Sequence, residues 1–200
     1  MPTTSAARMR RSFRSQLLAL SFWLHRVDIL DIHQPVTIRA AKAEHIPDMI
    51  RLARESSSAA HWSEQEYGRL FETPDSPSTR LALIAQRDVP AHLHDERSPL
   101  LGFLIAHHVG PEWELENVVV APEARGRGIG ARLMEELLIR AKQTNSEAVF
   151  LEVRESNQAA RRLYQKLEFQ ETGRRKSYYT NPLEDAILYV RTLGARQISD

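Results

Sequence analysis

The stretch Val118–Leu138 constrains the chain most, because an apolar strand, VVV, runs through a loop with Arg125, Gly126, Arg127, Gly128 and Gly130 into an amphipathic helix. Ile129, Leu133, Leu137 and Ala141 recur at helical spacing, so the helix must bury one face. Glycines let a backbone approach a ligand without Cβ clashes. The free N–H groups and positive dipole end of the helix then face an anion such as a phosphate or pyrophosphate.

Three other readings of this segment are weaker. GRGIGA matches the relaxed dinucleotide fingerprint, with Glu147 or Glu152 imitating the ribose-binding acid, but APEAR separates the strand from the first glycine. Too little chain follows for the remaining βα units. A Walker loop needs GxxxxGK followed by Ser or Thr, which is absent here. A helix start with incidental glycines leaves the alternation of three glycines with two arginines unexplained.

Around this segment the pattern alternates strands and helices. VTIRAA reads as a strand, followed by a helix from Glu44 to about Ser56 and a second from Ser63, an N-cap with Glu66 three residues on, through Phe71. Leu81–Gln86, Leu100–Val109 and Trp113–Val120 read as an antiparallel meander, with the polar loop DVPAHLHDERSP between the first two. A helix over Gly128–Gln143, the strand AVFLEV, a helix over Asn157–Leu167, the strand FQETG and a closing strand DAILYVR complete the order. The expected fold class is therefore α/β (α+β), a mixed central sheet flanked by helices.

The chain divides at residue 34. Residues 1–34 hold Arg8, Arg10, Arg11 and Arg14 before LLALSFWL, which is too short for a membrane span of about 20 apolar residues and lacks a small-residue cleavage site. They are expected to form a dispensable extension helix, and residues 35–200 the functional domain. With 27 basic and 26 acidic residues there is no overall charge to draw nucleic acid or anionic lipid. The absence of cysteine removes a cysteinyl intermediate and thiolate metal sites, and fits a cytoplasmic protein. His92 with His94, and His107 with His108, have no third ligand at recognisable spacing, so no metal is expected. Arg161, Arg162, Lys166 and Arg174–Lys176 form basic patches, read first as a solvated face with no nucleic-acid motif.

The Arg125–Gly130 pattern resembles the acetyl-CoA motif of the GNAT superfamily, Arg or Gln, two residues, Gly, one residue, then Gly or Ala. Within that superfamily the chain is similar to the bacterial ribosomal-protein-alanine N-acetyltransferases, the RimI group, through WELENVVVAPEARGRGIG, FLEVRESNQAARRLYQKLEF, RRKSYY with EDAILY, and HWSEQEY. The resemblance spans about Val36 to Arg191. It implies a GNAT-type fold and an acetyl-CoA site formed by the backbone of Val118, Val119 and Val120, by Arg125, Gly126, Arg127, Gly128, Ile129, Gly130 and Ala131, and by Asn157. Ala131 stands where a basic residue is often found, so one side-chain phosphate contact is missing.

Transfer of an acetyl group to an amine needs a base for the amine and an acid for the departing thiolate. By the same resemblance Glu152 matches the proton acceptor and Tyr164 the proton donor. Glu152 also stands out unaided. Val149, Leu151 and Val153 share one face of its strand while Phe150 and Glu152 share the other, and carboxylates in such strands are rare unless used or paired. Tyr164 shares a helix face with Ala160, Leu163 and Leu167 and on its own reads as a core tyrosine. Glu116, on a face with Glu114 and Val118, is a rival base, and the N–H groups near Val118–Val120 are candidates to polarise the acetyl carbonyl.

The expected acceptor is a protein N-terminal α-amine, a ribosomal protein among the candidates, with a lysine side chain or small amine as acceptor, or a non-catalytic acetyl-CoA-binding sensor, as the alternatives. The peptide should lie between the region of His61 and Trp62 and the loop after FQETG holding Tyr178 and Tyr179. Extended backbone would point those two tyrosines oppositely, so that one meets substrate. Trp62 reads equally well as a helix staple.

Overall fold

The computed structural model describes residues 35–56, 59–60, 62–71, 79–87 and 100–194. Seven strands in it, β1 (Val36–Ala40), β2 (Thr79–Arg87), β3 (Leu100–Val109), β4 (Glu112–Val120), β5 (Ala148–Arg154), β6 (Gln170–Thr180) and β7 (Leu183–Thr192), form one sheet in the order β1-β2-β3-β4-β5-β7-β6. Every neighbouring pair is antiparallel except β4 and β5. The parallel pair needs a crossover, which α3 (Ile129–Gln143) supplies. The other helices are α1 (Ile46–Arg54), α2 (Glu64–Gly68) and α4 (Gln158–Lys166).

The helices occupy both faces of the sheet. A Cβ on Gly102 of β3 would touch Leu133 and Ile129 of α3, and one on Gly130 would touch Val120 of β4 and Leu163 of α4, so Val120 faces α3 and α4. Asn117, three residues earlier and hence on the opposite face, donates from Nδ2 to the carbonyl of Ala60, between α1 and α2. At nine residues α1 is too short to persist alone. It is held by burial of Met49, Leu52 and Ala53, the two larger side chains contributing roughly 1.5–3 kcal/mol each. Phe103, Leu104 and Ile105 of β3 lie fully buried between the layers.

The elements depart from the sequence reading in three places. The helix expected over Glu44–Ser56 opens as a 3₁₀ turn, Ala43–His45, and becomes α-helical at Ile46, because Pro47 has no N–H to donate and fits only a first turn. The helix expected to reach Phe71 stops at Gly68, a poor helix former. The segment after FQETG is not a loop, since β6 continues to Thr180 with its ladder broken between Arg175 and Tyr179. The extension helix expected within residues 1–34 lies outside the described residues.

Two glycines give opposite expectations for stability. An alanine Cβ at Gly102 would stand 2.7 Å from the Val119 carbonyl oxygen, so Gly102→Ala must push β3 from β4 and is expected to cost about 1–3 kcal/mol. Nothing lies within 4 Å of a Cβ at Gly68, and Gly68→Ala is expected to add about 0.4–1 kcal/mol by restricting the unfolded chain. Calorimetric melting of both variants checks the sign.

Candidate active site

The parallel ladder between β4 and β5 runs from Glu112 opposite Ala148 to Leu115 opposite Leu151 and stops there, although β4 continues to Val120 and β5 to Arg154. The cause lies on the other side of β4. Ile105 of β3 faces Asn117 while Ala106 faces Leu115, which leaves Glu116 as an extra residue that bends β4 away. The strands part into a cleft of about 280 Å³ bordered by Glu116, Val118, Glu152, Asn157, Tyr164 and Tyr179. Six residues named from the sequence thus converge on one opening.

Backbone direction at the cleft follows from strand alternation. The Ala121 N–H donates to Leu101 on the β3 side, so Val119 also points its N–H and C=O that way, and Val118 and Val120 direct theirs into the opening. Arg125 Nε donates to the Val120 carbonyl at 3.2 Å, in keeping with this. The Val118 N–H is left as a donor aimed at the cleft. The Val119 side chain is core, 2% exposed.

At the start of α3, Gly126 and Gly128 adopt left-handed backbone, φ +74° and +78°, which glycine takes without strain, and Gly128 is the N-cap. The first helical bond is from the Arg132 N–H to the Gly128 carbonyl at 3.0 Å, so the N–H groups of Ile129, Gly130 and Ala131 have no acceptor in the helix. Such a donor set at a positive dipole end fits a pyrophosphate. Arg125, Gly126 and Arg127 are exposed beside it, whereas the Ile129 side chain is buried. Asn157 caps α4, its Oδ1 accepting from the Ala160 N–H at 3.1 Å, which leaves its Nδ2 for any cleft contact.

The carboxylates sit on the face away from α3. Val149, Leu151 and Val153 are buried while Phe150 and Glu152 are half-buried opposite them, as the alternation predicts. Glu152 lies 3.0 Å from Arg175, whose side chain is 54% exposed. Glu116 is held more firmly, since Arg80 donates to it from Nε and Nη2, each at 3.1 Å, with His107 Nδ1 4.0 Å away. Two parallel charge-assisted bonds make the stronger pairing. Glu114 lies on the same strand face. Burial, then the charges of Glu116 and Glu152, push its carboxyl above the usual range.

Tyr164 is 4% exposed and packs its ring near Phe169 and Tyr189, with centroids at 5.9 and 6.1 Å. It is a core tyrosine that also borders the cleft. Burial first, then Tyr179, pushes its hydroxyl pKa well above the ordinary tyrosine value. Tyr179 borders the cleft, but Tyr178 is 48% exposed and does not. Their rings meet edge to face at 5.2 Å rather than standing on opposite faces, because Tyr178 lies within the break in the ladder and Tyr179 at its far edge.

Trp62 does not border the cleft. It precedes the N-cap Ser63 and packs on Tyr67 at 5.7 Å, a staple for α2, with Arg80 lying 5.9 Å from its ring. His108 stacks on Trp113 and bonds Ser146, away from the His107 face, while His61, His92 and His94 lie outside the described residues. Part of the basic patch is neutralised internally, as Arg161 pairs with Glu171 and Arg174 with Glu155 and Asp185. Sequence reasoning missed Arg80, which comes from a strand remote in the chain and carries no local signal, and it named Arg175 only within a basic patch, not as the partner of Glu152.

Residues 46–169 match the Acetyltransferase (GNAT) family, and the chain belongs to that family. It is 39% identical over 87 residues to the [ribosomal protein bS18]-alanine N-acetyltransferase of Haemophilus influenzae, a stretch covering 44% of this chain and 59% of that protein. It is 42% identical over 83 residues to the N-alpha-acetyltransferase RimI of Mycobacterium tuberculosis, covering 42% of this chain and 51% of the relative. Among solved structures, the ribosomal-protein-S18-alanine N-acetyltransferase from Escherichia coli superposes with a TM-score of 0.65 at 25% identity, over 83% of this chain and all of that one. No described helix is long and apolar enough to cross a membrane.

Proposed function

We propose that this protein transfers the acetyl group of acetyl-CoA to a protein N-terminal α-amine, with the N-terminal alanine of a ribosomal protein as the first acceptor to test, by direct attack in a ternary complex. One observation carries the reading. The parting of β4 from β5 brings the Val118 N–H, Glu152 and Tyr164 to one opening, and the Arg125–Ala131 helix start follows directly on β4. The pyrophosphate of coenzyme A suits the free N–H groups of Ile129, Gly130 and Ala131, and acetyl-CoA supplies an activated thioester. Residues 35–200 form the transferase domain in this reading, with residues 1–34 as an appended extension.

The residue roles follow from proton bookkeeping. The α-amine must be neutral to attack, and Glu152 takes its proton. The Val118 N–H steadies the oxygen that gains charge as the new C–N bond forms. Tyr164 gives its proton to the sulfur as the C–S bond breaks. Glu116 is tied by Arg80 in a bidentate pair and serves less well as the base. An α-amine with pKa near 8 is about a tenth neutral at pH 7, whereas a lysine near 10.4 is neutral only about 0.04% of the time, so a modest base suffices for the first.

The test is coenzyme A release from acetyl-CoA with a short peptide bearing a free N-terminal alanine, beside the same peptide blocked at its N-terminus and carrying one lysine. Turnover with the free N-terminus alone is expected. Turnover with the blocked peptide alone would reassign the enzyme to lysine side chains. Silence with both, despite binding of acetyl-CoA, would favour a different acceptor or a sensor of acetyl-CoA.

A further inference from the structure

Arg154, the last residue of β5, is the point at which the β6–β7 hairpin is tied to the cleft. Its guanidinium donates from Nη1 to Glu184 Oε2 at 3.2 Å and to the Pro182 carbonyl at 3.5 Å, and from Nη2 to the Asn181 carbonyl at 3.2 Å. It also lies 4.0 Å from the centre of the Tyr179 ring, close cation–π contact. All four partners belong to the hairpin end, residues 179–184. Glu184 then reaches back, its Oε1 accepting from the Ser156 N–H in the turn that leads to Asn157.

The hairpin needs this tie. Its ladder is broken between Arg175 and Tyr179, so beyond the break only Tyr179 opposite Glu184 and Thr180 opposite Leu183 remain paired. Two paired positions at a hairpin tip are a weak restraint. Tyr179, half-buried on the cleft wall, depends on something else to keep its place.

We propose that Arg154 is a positioning residue for acceptor recognition, holding Tyr179 and the β6–β7 hairpin end as the wall against which the acceptor's first residues lie. The proposal rests on the acetyl-transfer reading of the cleft. With three of its N–H contacts directed at the hairpin and its flat face against Tyr179, the guanidinium acts through the hairpin rather than as a phosphate ligand. Glu184 supports it across the working range, because the bonds from Ser156, with Arg154 adding to them, hold its carboxyl below the usual range. A carboxylate shifted that way keeps its charge at neutral pH and loses it only as pH falls through the lowered pKa.

The test compares wild type, Arg154→Gln and Arg154→Lys in the full chain by steady-state kinetics with the alanine peptide, and by hydrogen exchange without any acceptor. For Arg154→Gln the acceptor KM is expected to rise about 10-fold, the factor that 1.4 kcal/mol represents, with kcat at saturating peptide and the acetyl-CoA KM each within about 2-fold. Arg154→Lys, which keeps the charge over the ring, is expected to recover part of the loss. Amides of residues 178–184, apart from Pro182, which has none, should exchange about 10-fold faster in Arg154→Gln while those of β5 stay protected. A rise in the acetyl-CoA KM equal to that for peptide would make Arg154 a cofactor ligand and overturn the proposal, as would unchanged exchange at the hairpin. If wild type is inactive on the α-amine peptide, the α-amine reading of the acceptor fails by itself and the exchange result still decides whether Arg154 ties the hairpin.

Discussion

Glu152→Gln is expected to slow turnover by ~10²–10³-fold, within the range a positioned base contributes, while acetyl-CoA binding changes by less than about 2-fold. The substitution keeps the size of the side chain and removes its capacity to take a proton. Glu152 borders the cleft, and its ion-pair partner Arg175 reaches it from an exposed position, so an arriving amine can exchange places with the guanidinium. Glu116→Gln provides the comparison. Glu116 is 14% exposed and bound twice by Arg80, so its loss should unsettle the bulge of β4 and lower the melting temperature, with a smaller fall in kcat than Glu152→Gln gives. Single-turnover rates with the alanine peptide separate the two, and a deep loss for Glu116→Gln with near-normal turnover for Glu152→Gln would exchange their roles.

Much of this site was legible because its determinants are local. The buried-exposed alternation of Val149–Val153 placed Glu152 on the open face. Ser63 caps α2 through the Glu66 N–H while Glu66 accepts from the Ser63 N–H, the reciprocal pattern expected from residues three apart. The boundary of α3 at Gly128 followed from glycine at the helix entrance.

What escaped depends on pairing between distant strands. The bulge at Glu116 exists only relative to β3, and nothing in ELENVV marks which residue is left over. The continuation of β6 was hidden because GRRKS lacks both alternation and β-branched residues, and its pairing comes from β7. For Trp62 the sequence left a substrate contact and a helix staple equally open, and its packing on Tyr67 just before the N-cap Ser63 is the staple geometry.

Tyr164→Phe is expected to lower kcat by about 10²-fold, as loss of a general acid does, with little change in fold or in either KM. The ring contributes packing against Phe169 and Tyr189, which phenylalanine preserves, so the variant removes the hydroxyl alone. The direction of its pKa adds a second readout. Burial raises the hydroxyl above the ordinary tyrosine value, so in the folded enzyme Tyr164 stays protonated through about pH 10, where an exposed tyrosine is half ionised. A proton donor in that state puts no falling limb on the wild-type pH–rate profile below about pH 10, and any limb seen there belongs to another group. A wild-type limb near pH 10 that disappears in Tyr164→Phe would show the hydroxyl ionising as if exposed. Equal kcat for the two proteins would leave Tyr164 as core packing, with the thiolate leaving unassisted or protonated by water.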